Sequence, residues 1–136
     1  MLLAAFDERR PTRDVDLAAL ELVSEVGSIV EALREVAATV LDDGLEIDVG
    51  NATAETIREN SAGYTGARVT FPTTLVSARV TFHVDVSVGD PISPDPTITS
   101  VPRILGGTID VLGYPVEMVI AEKLVTAVER GAVNTR

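Results

Sequence analysis

Residues 78–88, with the sequence ARVTFHVDVSV, decide the fold of this chain. Apolar and polar residues alternate along the stretch, which is typical of a β-strand with one face in the core. The face expected to enter the core carries Val80, Phe82, Val84, Val86 and Val88. The opposite face carries Thr81, His83, Asp85 and Ser87. The pattern therefore predicts that Asp85 lies on a polar face of a sheet.

A pair of carboxylates near the beginning of the chain follows the same rule. Residues 13–17 predict a strand, and its period of two puts Asp14 and Asp16 on one face and Val15 and Leu17 on the other. Two carboxylates are therefore expected to point the same way.

Apolar spacing predicts a helix over residues 29–41 that packs on the sheet. Ser28 and Glu31 would open it as a capping box, and it would close near Gly44. The positions expected to face the sheet are Ile29, Leu33, Val36, Ala37, Val40 and Leu41.

A second helix is predicted near the end of the chain, with Pro115 at its first position and Gly131 ending it. Residues at spacings of three and four are expected to face the protein: Val116, Val119, Ile120, Lys123, Leu124 and Ala127. Arg130 returns to nearly the same face. The only lysine of the chain, Lys123, is thus expected on an inward stripe.

Shorter segments complete the predicted order. We expect a helix fragment at residues 2–6 and a turn at 8–11. Further strands are predicted at 45–49, 67–71 and 108–112, a brief helix after Thr53, and loops at 89–96 and 101–107. The alternation of helices and strands without a linker or repeat predicts a single α+β domain over residues 1–136.

Composition excludes several kinds of site. The chain has 136 residues, no Cys and one His, so neither a disulfide framework, a cysteine nucleophile, a thiolate metal site nor a histidine cluster can form. Lys and Arg number 11 against 21 Asp and Glu, for a net charge of -10. An acidic chain does not coat nucleic acid, so an RNA partner would need a local basic patch, for which Arg9, Arg10 and Arg13 are the candidates.

Targeting and membrane signals are also missing from the printed sequence. The apolar residues 1–6 run directly into charged residues, and no apolar run approaches the roughly 18 residues of a membrane-spanning helix. We expect a cytoplasmic protein without a membrane partner.

Three carboxylates on a sheet face are unfavourable unless a cation joins them. Because Asp14, Asp16 and Asp85 offer only oxygen ligands, they favour a hard divalent ion such as Mg²⁺ or Mn²⁺. Two such ions can activate a hydroxyl and stabilise a leaving pyrophosphate. Lys123 and Arg130 would then hold nucleotide phosphates. The combination indicates phosphoryl or nucleotidyl transfer.

The motifs also carry a resemblance. Residues 10–17 resemble the Arg-x-Ser/Thr-x-Asp-x-Asp motif of the AbiEii/AbiGii-type nucleotidyltransferase toxins, a branch of the DNA polymerase β-like nucleotidyltransferases. Residues 82–90 are similar to the second carboxylate strand of that family. Residues 114–124, then 130–131 and 134–136, resemble its Ala-Glu-Lys-Leu helix and the segment that follows.

The resemblance implies a polymerase-β-like nucleotidyltransferase fold, a mixed β-sheet flanked by helices. On the matching positions it implies that Asp14 and Asp16 bind metal, that Asp85 is the third carboxylate and base, that Lys123 holds the triphosphate and that Thr12 lies beside the phosphates.

The same resemblance implies a bacterial toxin of a type IV toxin–antitoxin or abortive-infection system, with a cognate antitoxin as partner. It would use magnesium and a nucleoside triphosphate, NTP, to add a nucleoside monophosphate to RNA, with the tRNA 3′ end as the expected acceptor. The family also has a Gly-Gly or Gly-Ser/Thr loop before its first helix and a Lys-Asp-x-x-Asp stretch after the last match. We therefore expect the chain to be truncated at both ends.

Other interpretations stay open at this point. The chain could be a non-catalytic remnant or a binding module that pairs with an antitoxin, or its acceptor could be a hydroxyl of a protein or small molecule. An isolated Asp-x-Asp is more often an ordinary surface strand, and Lys123 could snorkel to water along an apolar face. The base that is transferred, the acceptor RNA and the oligomeric state do not follow from the sequence.

Overall fold

A computed structural model describes residues 14–20, 25–59, 65–89, 91–103 and 106–130. The predictions for residues 2–6, for the turn at 8–11, for Thr12 and for Gly131 lie outside these ranges, as do those for the three N-terminal arginines Arg9, Arg10 and Arg13. The described residues form two compact units, one up to Gly89 and the other from Pro91 onward. The single domain expected over residues 1–136 stays a prediction.

The first unit contains a five-stranded sheet and one helix. Its elements are β1 (Asp14–Ala19), α1 (Val26–Ala37), β2 (Leu45–Ile47), β3 (Thr53–Glu59), β4 (Thr65–Leu75) and β5 (Ala78–Val88). The strand order is β1-β5-β4-β2, and β3 also pairs with β4. Because β1 runs parallel to β5 while the other pairs are antiparallel, the sheet is mixed, which confirms the α+β class.

The core lies between α1 and one face of this sheet. β5 has the predicted bounds, and its residues Val84, Val86 and Val88 are buried together with Ala67, Val69 and Phe71 of β4 and Ile29 of α1. The rings of Phe71 and Phe82 stack with centroids 5.4 Å apart. Val80, near the beginning of β5, is exposed, so that one position was predicted wrongly.

Helix α1 differs from its prediction at both ends. It begins at Val26, with Glu25 as an N-cap that makes no side-chain hydrogen bond, so the expected capping box at Ser28 is wrong. Val26 packs against the core, which extends the helix backward. After Ala37 no core remains to cover the apolar pattern, and Val40 is 93% exposed. Arg34 of the helix donates from Nη2 to the carbonyl of Ala52, the residue directly before β3, at 3.1 Å.

The segment between α1 and β4 contains a strand where a helix was predicted. Asp48 caps a 3₁₀ turn at Val49–Asn51, and its carboxylate accepts from the Asn51 backbone and side-chain nitrogens at 3.1 and 2.8 Å. These hydrogen bonds lower the pKa of the Asp48 carboxyl. Thr53 opens β3 and not a helix, because the free edge of β4 pairs with it from Thr70 to Thr65.

The second unit is a two-stranded sheet and a helix. β6 (Thr97–Pro102) pairs antiparallel with β7 (Thr108–Gly113), and α2 (Val116–Arg130) follows. The loop predicted at 101–107 is wrong in its first two residues, because Val101 and Pro102 pair with β7. Gly106 and Gly107, in the rest of that predicted loop, lie outside both strands and have positive φ.

The inward stripe predicted for α2 is wrong in the described part of the helix. Lys123 is exposed, and Leu124 beside it is 63% exposed. The helix instead buries Met118, in its first turn. Helical spacing identifies which residues share a face but not whether that face is covered. No helix within the described ranges is long and apolar enough to cross a membrane.

The turn between β4 and β5 contains an unfavourable backbone conformation. Leu75 pairs with Ala78, so the loop has two residues, and Val76 has a φ of 58°. A β-branched residue is strained in this left-handed region, which costs roughly 1–2 kcal/mol. Its side chain is 88% exposed and gives no packing in return.

We predict that Val76→Gly raises the free energy of unfolding by about 1 kcal/mol, measured by urea denaturation. Val76→Ala is the matched control, because it removes the branched side chain but keeps a Cβ. It should gain less than the glycine variant. Equal or lower stability of Val76→Gly would contradict the strain.

Candidate functional site

The face of the five-stranded sheet that is opposite α1 carries polar side chains in two rows. Backbone register aligns the first row as Asp16, Asp85, Arg68 and Glu55 across β1, β5, β4 and β3. It aligns the second row, one step along the strands, as Asp14, His83, Thr70 and Thr53. We call these eight residues the polar face.

The polar face contains all three carboxylates that the sequence indicated. Asp14 and Asp16 are exposed on β1, and Asp85 is half-buried on the neighbouring strand β5. Asp16 is the register partner of Asp85, and neighbouring strands lie about 4.8 Å apart. The expectation that the three share one sheet face is confirmed. Their roles in catalysis and metal binding stay predictions.

Arg68 is the residue that the sequence analysis missed. Its guanidinium donates to both oxygens of Asp85, with Nε to Oδ1 and Nη2 to Oδ2 both at 2.7 Å. Two parallel charge-assisted hydrogen bonds of this kind are among the strongest polar contacts in proteins. Alternation within the predicted strand 67–71 could have identified Arg68, since it lies between the apolar residues Ala67 and Val69.

Electrostatics reinforces this pair. The hydrogen bonds that Arg68 donates to Asp85 raise the pKa of its guanidinium, burial acts in the opposite direction, and the charges of Asp85, Asp14 and Glu55 raise it further. The guanidinium is thus the cation that offsets several carboxylates of the polar face. Its side chain is 35% exposed and that of Asp85 is 18% exposed.

The carboxylates fit a divalent cation by chemistry but not by their present arrangement. Oxygen donors from Asp14, Asp16 and Asp85 are the ligands that Mg²⁺ prefers. Among the residues that the structure describes, however, no group of three or more His, Asp or Glu side chains is placed to hold a metal ion. Asp85 points both oxygens at Arg68. A cation bound by all three carboxylates would lie close to the Arg68 guanidinium, a like charge that opposes its binding.

His83 lies in the second row, beside Asp14. Its Nδ1 is 3.0 Å from the hydroxyl oxygen of Thr70 on β4. The contact fixes the ring against the neighbouring strand, which agrees with the structural role that a lone His most often has.

Two of the remaining predicted site residues lie in the second unit. Lys123 lies on α2 in the second unit and is exposed, and Arg130 is the last residue of the same helix. Their predicted phosphate contacts stay predictions, as do those of Thr12.

We predict that a double-mutant cycle of Arg68→Met and Asp85→Asn gives a favourable coupling of about 1 kcal/mol in the free energy of unfolding. The value is modest because Arg68 is partly exposed and water screens the pair. The matched cycle is Arg34→Met with Glu31→Gln, an exposed pair at 3.3 Å on α1, for which we expect a few tenths of a kcal/mol. No coupling between Arg68 and Asp85 would contradict the geometry.

Comparison with models of protein families gives a match. Residues 1–136 match the AbiEii family, described as Nucleotidyl transferase AbiEii toxin, Type IV TA system. No curated protein and no solved structure shows a significant match. The family match covers the whole chain and confirms the resemblance to this family. The chain therefore belongs to the AbiEii family of nucleotidyltransferase toxins of type IV toxin–antitoxin systems.

Proposed function

We propose that this chain transfers a nucleoside monophosphate from an NTP to RNA, with the 3′ end of tRNA as acceptor and a cognate antitoxin as partner. The observation that supports the proposal most is the register of Asp16 with Asp85, with Asp14 beside them on the polar face. In a family of nucleotidyltransferases, carboxylates aligned on rigid strands are the expected metal ligands.

The transfer exchanges one phosphate ester bond for another. The 3′ hydroxyl of the acceptor attacks the α-phosphorus of the NTP, the bond between that phosphorus and the bridging oxygen to the β-phosphorus breaks, and pyrophosphate leaves. The proton of the hydroxyl passes to a carboxylate of the polar face, for which Asp85 is our candidate. Each Asp85 oxygen accepts one hydrogen bond from the Arg68 guanidinium and keeps a second lone pair that can take this proton.

Asp14, Asp16 and Asp85 are our candidates for holding Mg²⁺ or Mn²⁺. Two bound divalent cations would supply activation of the hydroxyl and neutralisation of the leaving pyrophosphate. The contribution of the chain is to hold Asp14 and Asp16 on one strand face, where the backbone of β1 fixes their spacing.

Cationic residues complete the proposed site. We assign the triphosphate to Lys123 and Arg130, and Thr12 to a position beside the phosphates. Arg9, Arg10 and Arg13 would bind the RNA backbone, because an acidic chain needs local positive charge to meet phosphate.

Asp14→Asn and Asp16→Asn should each lower transfer at least about a hundredfold, because each removes a charged ligand worth several kcal/mol to the transition state. The assay incubates the protein with Mg²⁺, total tRNA and each α-labelled NTP in turn. Asp42→Asn is the matched control, since Asp42 is exposed in the turn between α1 and β2, and it should retain full activity.

Three outcomes of this assay bear on the proposal. Label in tRNA that depends on Asp14 and Asp16 supports it. Label that passes to protein instead of RNA would assign another acceptor. No label with any of the four nucleotides would contradict catalysis by this chain.

Lys123→Met should raise the KM for the NTP by about tenfold or more while the fold is unchanged, since a charge-assisted hydrogen bond to phosphate is worth roughly 1.5–3 kcal/mol. Glu122→Gln on the same exposed helix is the control and should leave KM unchanged or lower it. An unchanged KM in Lys123→Met would remove Lys123 from the site.

One observation favours a second function, that of a non-catalytic module that binds an antitoxin. Arg68 already offsets Asp85, and the described residues contain no ready metal-binding group. This alternative predicts cooperative unfolding together with no binding of Mg²⁺ or NTP in calorimetry.

A further inference from the structure

We infer that Arg68 competes internally with the divalent cation for Asp85, and that a cation bound by this carboxylate displaces the guanidinium. The inference rests on the proposed function, because it takes Asp85 to be a cation ligand. It adds a positioning role for a residue that neither the motifs nor the family match identify.

The geometry of the pair carries the inference. A carboxylate has two oxygens, and Arg68 occupies both of them at 2.7 Å. Each oxygen keeps a second lone pair, but a cation that uses it comes close to the positive guanidinium, and repulsion between the like charges opposes its binding. Asp85 is only 18% exposed, so its carboxylate has little solvent-facing space in which to turn away from Arg68.

The row also offers the guanidinium another carboxylate. Arg68 lies between Asp85 on β5 and Glu55 on β3 in the backbone register. Glu55 is exposed, and its charge already contributes to the raised pKa of Arg68. A guanidinium displaced from Asp85 therefore remains beside a negative charge, which lowers the free energy needed to separate the pair.

Competition of this kind sets the size of the expected effect. The apparent affinity for a cation falls in proportion to the fraction of molecules in which the Arg68–Asp85 contact is open. If this contact is open in about a tenth of the molecules or fewer, removing the guanidinium should tighten cation binding at least roughly tenfold. The same site would then bind the cation weakly in the native chain and tightly in the Arg68 variant.

The test is a titration with MnCl₂ in the absence of nucleotide, with free Mn²⁺ followed by its electron paramagnetic resonance signal. Arg68→Gln should bind Mn²⁺ at least about tenfold more tightly than the native chain, and Arg68→Lys should fall between them because an ammonium cannot donate in the same fork. Asp85→Asn in the Arg68→Gln background should remove the gain.

Two controls separate competition from general effects. Arg79→Gln removes the same charge from β5 itself, six residues before Asp85, and should change Mn²⁺ affinity less than twofold. Thermal unfolding verifies that each variant folds, and Mn²⁺ should raise the melting temperature of Arg68→Gln more than that of the native chain. The conservative Arg68→Lys variant provides the same comparison if the Gln variant does not fold.

The outcomes distinguish this inference from the proposed function. If Asp85→Asn weakens Mn²⁺ binding but both Arg68 variants bind no more tightly than the native chain, the competition is wrong and the metal role of Asp85 stands. If Mn²⁺ binding is the same with and without Asp85, both the competition and the proposed metal role of Asp85 are wrong.

Discussion

The parallel register of β1 with β5 is the constraint on which the polar face depends. It places Asp16 opposite Asp85, and Asp14 lies two residues before Asp16 on the same face of the strand. Such a concentration of negative charge on one sheet face requires a nearby cation. In the described structure that cation is Arg68, held by two hydrogen bonds of 2.7 Å from the adjacent strand β4. The same contact pairs the charge of Asp85 and, in our inference, competes with a metal for this carboxylate.

One face of the sheet provides the apolar packing that stabilises the fold, and the other face carries the candidate site residues. One face is buried under α1, where Val69, Phe71 and Ile29 are almost fully covered, and this apolar contact holds the strands in register. The other face is free to carry charge because the strands do not depend on it for their packing. Carboxylates on strands fixed in this way keep their spacing when a ligand binds, which is what a phosphoryl-transfer site needs.

The alternation of apolar and polar residues predicts the features that depend only on residues close in sequence. Alternation predicts the correct bounds of β5, and it predicts that Asp14, Asp16 and Asp85 lie on one polar face of the sheet. It could not show that Thr53 would join β4 or that Val101 would pair with β7, because pairing depends on a distant partner strand. The apolar spacing past Ala37 was misleading for the same reason, since a helix needs a surface to pack on. Arg68 was visible on its strand, but its partner Asp85 is 17 residues away.

Membership in the AbiEii family indicates nucleotidyl transfer as the reaction, and the polar face contains the residues of this chain that are candidates to carry it out. The central claim is that Asp14, Asp16 and Asp85 are cation ligands and that Arg68 yields Asp85 when the cation arrives. A crystal structure with Mn²⁺ and a non-hydrolysable NTP tests this claim most directly. We predict an anomalous Mn²⁺ peak between Asp16 and Asp85, with the Arg68 guanidinium turned away from both Asp85 oxygens. A Mn²⁺ peak elsewhere, or an ion beside Asp85 with the Arg68 fork still intact, would contradict it.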